Sequence, residues 1–277
     1  RICSRRPQTN RNFQKVISMA KAIIVAGKTG TGKSYSMRNL RPEETLLINV
    51  VPLKDIPFRG YKKKFNTQNR NFVETDDYHQ IMKFIASTKA DGPLKHIKTI
   101  VIDDTIYLMR NESFNTIRAG EKGYDKFNRM AANFQELLYF LSKQRADLQV
   151  VLMMHVEKDD DTTLEYPEYK LSSVGKLVDK QSNPLELVTV TLFTDVEFDD
   201  EEDEPVYRFI TRRTKRHGFT IPAKSPVGMF EERYIDNDLQ SVLDISRAYY
   251  EEEGTMEEPP KKEEKKPSAV KPAAEIK

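Results

Sequence analysis

The sequence predicts an α/β fold, a mainly parallel sheet flanked by helices, on three observations. Short apolar runs without alternation recur at residues 22–26, 45–50, 97–102 and 148–155. Strands covered by helices on both faces read this way. Phe127, Met130, Ala131, Phe134, Leu137, Leu138 and Leu141 recur at helical spacing, the pattern of a helix face packed on a sheet. The first apolar run also ends in a glycine-rich turn, residues 27–34, and a second helical pattern begins at its final glycine, Gly32.

That turn carries the chemistry. Gly27-Lys28-Thr29-Gly30-Thr31-Gly32-Lys33-Ser34 has the form G-x-x-x-x-G-K-S, and it stands between a strand and a helix, the context that a phosphate-binding P-loop requires. A polyphosphate is held there by converging backbone N–H groups. Gly27, Gly30 and Gly32 keep Cβ atoms out of that approach and allow positive φ. Lys33 can reach the β- and γ-phosphates of ATP, and the Ser34 hydroxyl can ligate Mg²⁺. Lys28, Thr29, Thr31 and Tyr35 complete the expected nucleotide-binding stretch.

Taken in order, residues 1–18 are Arg-rich and acid-free and precede Met19, which resembles a translation start. They read as an upstream extension, a basic arm or a transit peptide, and the expected ATPase domain spans 19–250. After the second strand, residues 51–68 form a loop marked by Pro52, Pro57 and Gly60. Within it Arg59, Tyr61, Lys62, Lys63, Lys64 and Phe65 interleave cations with aromatics, a composition that either grips single-stranded nucleic acid or is simply solvated. A helix is predicted over 77–88 with Thr75 or Asp76 as its cap, and Ile81, Phe84 and Ile85 toward the sheet.

The run at 97–102 ends in Asp103-Asp104. A carboxylate at the tip of an apolar strand beside the P-loop can hold Mg²⁺, so Asp103 is the expected metal-side acid. Asp104 is the expected group to orient the attacking water, although two acids at a strand end also make an ordinary turn. Residues 105–129 read as an irregular, mobile loop, with Arg110, Arg118 and Lys122 as candidate contacts to single-stranded DNA. The alternative is a packed lid or subunit contact.

His155 closes the next strand, placed either to sense the γ-phosphate or to fill a structural role. A short helix over 174–181, a strand-rich stretch over 185–196, an acidic hairpin tip over 199–204 and a return strand over 205–211 follow. Arg216 and Lys224 lie in a basic segment that could act as a finger in a neighbouring subunit's ATP site or form a basic surface. A last helix is expected around 239–249, and residues 251–277 have the composition of a disordered charged tail.

Of 277 residues, 38% are apolar and 32% charged, a balance that fits a compact body with charged extensions. Net charge of +2 steers the chain toward no partner in bulk, and a single cysteine, Cys3, excludes an internal disulfide framework. No run approaches the roughly 18 apolar residues of a membrane span, so the expectation is a soluble, cytoplasmic protein.

The ordered set GKTGTGKS, TIVIDD, VVLMMH and AKSPVGMF with a downstream NDL resembles the phage-encoded RecA-like ATPases, which include Sak-type single-strand-annealing recombinases. The resemblance covers roughly residues 20–245. It implies a RecA-like core, to which the strands over 185–211 add a C-terminal β-hairpin extension, with ATP and Mg²⁺, single-stranded DNA, homo-oligomeric assembly and a role in phage recombination or replication beside a single-strand-binding protein. Lys33 and Ser34 match the phosphate and metal residues, Asp103 the acidic strand end and His155 the γ-phosphate sensor. RecA keeps a catalytic glutamate at the end of the strand after the P-loop helix, whereas Leu46-Leu47-Ile48-Asn49 offers none. Hydrolysis is therefore expected to depend on Asp104 or to be slow. A helicase or packaging motor and a nucleotide-gated adaptor are the rival functions.

Overall fold

The structure, a computed structural model, describes residues 20–159, 166–174, 183–198 and 204–253. The basic segment 1–18, nearly all of the expected helix 174–181, the acidic run 199–203 and the tail beyond 253 lie outside the described residues.

Six strands run parallel: β1 (Lys21–Gly27), β2 (Thr45–Asn49), β3 (Phe72–Glu74), β4 (Thr99–Asp103), β5 (Gln149–Lys158) and β7 (Val190–Phe198). β8 (Pro205–Ile210) returns antiparallel to β7, and β11 (Tyr234–Asp236) pairs antiparallel to β8, so a C-terminal hairpin extends the sheet. The order across the nine-stranded sheet is β11-β8-β7-β1-β5-β4-β2-β3. The short β6 (Tyr169–Leu171) lies against the far half of β5. A separate hairpin joins β9 (Thr214–Arg216) to β10 (Phe219–Ile221).

Apolar residues point to both faces because both are covered. Ile24, Leu46, Ile100 and Leu152 face α2 (Tyr78–Ala86), α3 (Ile106–Arg118) and α4 (Asp125–Ser142) through Ile81, Met109, Phe134 and Leu137. Ile23, Leu47, Val101 and Val151 face Met37 of a short 3-10 helix (Ser34–Asn39) and Leu239, Val242 and Leu243 of α6 (Leu239–Glu253). These side chains are fully buried, each contributing about 1.5–3 kcal/mol relative to exposure. This is the mainly parallel α/β sheet flanked by helices that the sequence predicts.

Several expectations are corrected. Asp103 ends β4 as expected, one strand removed from the P-loop strand because β5 lies between β1 and β4. Residues 105–129 are not an irregular loop: α3 and the start of α4 fill them, with only a short connection at Gly120 and Gly123, both at positive φ. Buried Ile106, Leu108, Met109 and Thr116 hold α3 down. The helix after the P-loop is a six-residue 3-10 helix. Asp77, rather than Thr75 or Asp76, caps α2 by accepting from the backbone N–H groups of His79 and Gln80. The stretch from 185 opens as a one-turn helix, α5 (Pro184–Leu187), because Asn183 caps it and proline stands in its first turn. One more turn, α1 (Tyr61–Lys64), interrupts the loop after β2, and α6 continues through Glu253 into the expected tail.

Candidate functional site

The carboxyl ends of β1, β5, β4 and β2 form one edge, with Gly27 in register with His155 and Asn49 with Asp103. The P-loop leaves β1 at that edge. Gly30 and Gly32 take φ of +81° and +94°, where a side chain is strained. Gly27 is required for space: a Cβ there would lie 1.8 Å from Thr194 Oγ1 and 2.8 Å from Thr31 Oγ1. Thr31 donates to the Lys28 carbonyl at 2.8 Å and meets the Thr194 hydroxyl of β7, which fixes the loop to its neighbouring strand.

Lys33 is buried and donates to the carbonyls of Gly27 at 2.8 Å and Lys28 at 2.7 Å. Burial lowers its pKa to about 8, with Asp104 and Asp103 opposing the shift. Lys28 is exposed, with its ammonium 4.8 Å from the Tyr169 ring centre; Thr29 is exposed as well. Tyr35 packs against Tyr207 of β8, ring centres 5.5 Å apart, with the Arg38 guanidinium 4.4 Å from its own ring.

Ser34 reaches across β5. Its hydroxyl donates to both Asp103 carboxylate oxygens, at 3.1 and 2.9 Å, and Asp103 is fully buried. Burial pushes the Asp103 carboxyl above the ordinary carboxylate value, partly offset by the nearby Lys54 ammonium. The next residue turns sharply: Asp104 has φ +57°, a conformation that aspartate tolerates better than most residues and that recurs at functional sites. Its backbone sense is held by the Thr105 N–H donating to the Met153 carbonyl at 2.9 Å. The turn aims one carboxylate oxygen at His155 Nε2, 3.0 Å away, and the other at Lys54 Nζ, 2.6 Å away. Burial raises the Asp104 pKa, but His155 and Lys54 together outweigh it and bring the group to about 2. Tyr107 packs edge-on against His155, ring centres 6.3 Å apart.

The five residues assigned to triphosphate, metal and water, Lys33, Ser34, Asp103, Asp104 and His155, therefore meet at one sheet edge. The oxygen donors Ser34 and Asp103 suit a hard cation such as Mg²⁺. Among the described residues no group of three or more His, Cys, Asp or Glu side chains could hold a metal alone. This donor set fits Mg²⁺, which keeps waters and shares its coordination with phosphate oxygens.

The other candidates are scattered. Lys62 pairs with Asp55 at 3.1 Å, Lys63 is exposed, and Lys64 donates to the Arg38 carbonyl at 2.7 Å. Arg110 lies 5.1 Å from the centre of the Tyr107 ring, while Arg118 and Lys122 are exposed at the end of α3 and beyond it. Arg216 is turned onto its own chain, donating to Asp195 and Glu197 at 2.8 Å each. Lys224 donates to the Leu185 carbonyl, and its backbone bridges to Thr191. Reaching a neighbouring subunit would require both residues to give up these partners.

Sequence reasoning missed Lys54, Thr194 and Tyr207. Lys54 Nζ lies 3.1 Å from the Ser34 hydroxyl and 3.6 Å from Asp103 as well as against Asp104. Its only signal is position, in the loop after β2 where the resemblance leads one to look for a glutamate. No helix among the described residues is long and apolar enough to cross a membrane.

No protein-family model and no curated protein matches the chain. Among solved structures it is similar to a KaiC-like protein from the hyperthermophilic archaeon Pyrococcus horikoshii OT3, with a TM-score of 0.39 and 11% identity over 69% of this chain and 77% of that one.

Proposed function

We propose that the chain binds ATP with Mg²⁺, hydrolyses it slowly, and uses nucleotide state to control a grip on single-stranded DNA. The observation that carries the nucleotide half is the Ser34 hydroxyl bonded to both Asp103 oxygens across an intervening strand, directly behind a glycine-rich turn. In this reading the bare amides of residues 28–33 take the phosphate oxygens, and Lys33 leaves the Gly27 and Lys28 carbonyls to meet the β- and γ-phosphates. Ser34 and Asp103 hold the magnesium side. Mg²⁺ held there would supply neutralisation of the developing phosphate charge. Asp104, held by His155, orients a water whose oxygen bonds to the γ-phosphorus as the bridging bond to ADP breaks, and its carboxylate accepts the proton released. A carboxylate with a pKa of about 2 is a weak base, and Asn49 at the end of β2 offers no second one; both favour slow turnover.

The DNA half rests on Lys62, Lys63 and Lys64 on α1 and on Arg110, Arg118 and Lys122 on and after α3. α1 follows β2 and α3 follows β4, so both clusters leave the edge that carries the P-loop. ATP held between subunits of a homo-oligomer, and phage recombination beside a single-strand-binding protein, complete the proposal. Calorimetry with ATP and Mg²⁺ tests the first half, expecting binding that Lys33→Ala abolishes. Fluorescence anisotropy with single-stranded DNA at several salt concentrations tests the second. If ATP leaves DNA affinity unchanged and DNA leaves turnover unchanged, the DNA half fails. Nucleotide binding with no turnover at all would favour a nucleotide-gated adaptor.

A further inference from the structure

Lys54 has no part in the nucleotide chemistry above, yet it makes the contacts expected of the metal. Its ammonium lies 2.6 Å from Asp104, 3.1 Å from the Ser34 hydroxyl and 3.6 Å from Asp103. Asp103 is wholly buried and Asp104 nearly so, while the Lys54 side chain is 36% exposed, so it reaches in from the rim. An ammonium is a compact point charge with three donors; here it donates to the Ser34 hydroxyl and the Asp104 carboxylate, with Asp103 within ion-pair range. With Lys33 alongside, two lysines balance two acids. A divalent cation ligated by Ser34 beside the same carboxylates would face Lys54 across a few ångströms of low-dielectric space, where like charges repel strongly.

We propose that Lys54 is a built-in stand-in for the divalent cation, so that metal and ammonium are mutually exclusive occupants of the position beside Ser34, Asp103 and Asp104. This rests on reading Ser34 and Asp103 as the metal side of the site. The exchange has two consequences. Both oxygens of Asp104 are engaged, one by Lys54 and one by His155, so departure of Lys54 frees the oxygen that must accept a proton from water. The loop that carries Lys54 is also tied at both ends. Asn49 donates to the Lys54 carbonyl at 3.3 Å, and the neighbouring Asp55 pairs with Lys62 on α1. Release of Lys54 therefore loosens the segment leading to the basic turn Lys62–Lys64, which makes the basic turn responsive to metal loading.

The probe is Mn²⁺, titrated into the full chain without nucleotide and read by electron paramagnetic resonance. Lys54→Met keeps an unbranched side chain one atom shorter and removes the charge, and it is expected to bind Mn²⁺ at least about tenfold more tightly than the unmodified chain. Adding Asp103→Asn to that variant is expected to abolish the gain. Equal Mn²⁺ affinity with and without Lys54, or a gain that survives Asp103→Asn, overturns the proposal. Because a buried acid pair without its ammonium could unfold the variant, hydrogen exchange on the unmodified chain provides a second arm. ADP with Mn²⁺ should speed exchange over residues 50–60 at least about threefold, whereas ADP with a chelator should not; unchanged exchange with metal overturns the proposal. The Mn²⁺ arm uses no nucleotide, so it can succeed while ATP binding fails, and the two readings fall separately.

Discussion

Raising the pH from about 7 to about 9.5 should weaken nucleotide binding by a factor set by Lys33 alone. In the free chain burial lowers this ammonium from its usual 10.5 to about 8, whereas a polyphosphate facing it favours the charged form. At neutral pH Lys33 is already charged and binding pays nothing for protonation. Above about pH 8 each unit removes tenfold of the charged population, so at about 1.5 units above the midpoint the apparent affinity falls about 30-fold, or about 2 kcal/mol. The same shift acts on folding with a definite sign. Between about 8 and 10.5 the unfolded chain holds a proton that the folded chain has released, so this group's contribution to stability rises with pH through that window and is complete above it. Calorimetric titration with ADP and Mg²⁺ at fixed ionic strength measures the first effect. Lys33→Arg, which does not titrate, should stay flat within about twofold. An affinity at the high pH within about threefold of that at neutrality would refute the reasoning.

Three further outcomes follow from the geometry. Gly27→Ala forces a Cβ to 1.8 Å from Thr194 Oγ1 and should destabilise the chain by about 1–3 kcal/mol in urea, with Thr194→Ala restoring more than half of the loss. Asp104→Asn should lower single-turnover hydrolysis about 100-fold while leaving the ADP dissociation constant within about threefold by calorimetry. Phe134→Ala empties a fully buried site under α4 and should remove about 3–5 kcal/mol in chemical denaturation, whereas Tyr139→Ala on the exposed face of the same helix should change stability by less than about 0.5 kcal/mol.

Much of this fold was legible because strands buried on both faces announce themselves. Ile23 to Ala26, Ile100 to Ile102 and Val150 to Met154 are continuous apolar runs with every residue buried, and the P-loop glycines can be read one by one. α3 was not legible because polar Arg110, Glu112, Asn115 and Arg118 are interspersed among only a few buried residues, and the glycines at 120 and 123 suggested a loop. Sheet order is also invisible along the chain: the insertion of β5 between β1 and β4 is a crossover made some fifty residues later. The same distance hid Lys54, whose bond to Asp104 spans 50 positions, and no spacing rule connects a turn lysine to a strand-end acid.

The lysine that was missed and the glutamate that was absent are two sides of one arrangement. Asn49 lies in register with Asp103 at the carboxyl edge of the sheet. Its side chain accepts from the Val51 N–H at 3.4 Å and donates to the Lys54 carbonyl at 3.3 Å, so it shapes the turn that aims Lys54 inward. A glutamate at this position could not donate to that carbonyl, and it would put a third carboxylate beside Asp103 and Asp104, with Lys33 and Lys54 supplying two compensating charges. An unbalanced charge in so buried a place is strongly unfavourable. Asparagine and lysine thus belong together in a site that supplies its own cation to its acids. Under the proposed exchange, such a site would resist metal until a polyphosphate brought it, which would favour tight coupling between metal loading and loop position over rapid hydrolysis.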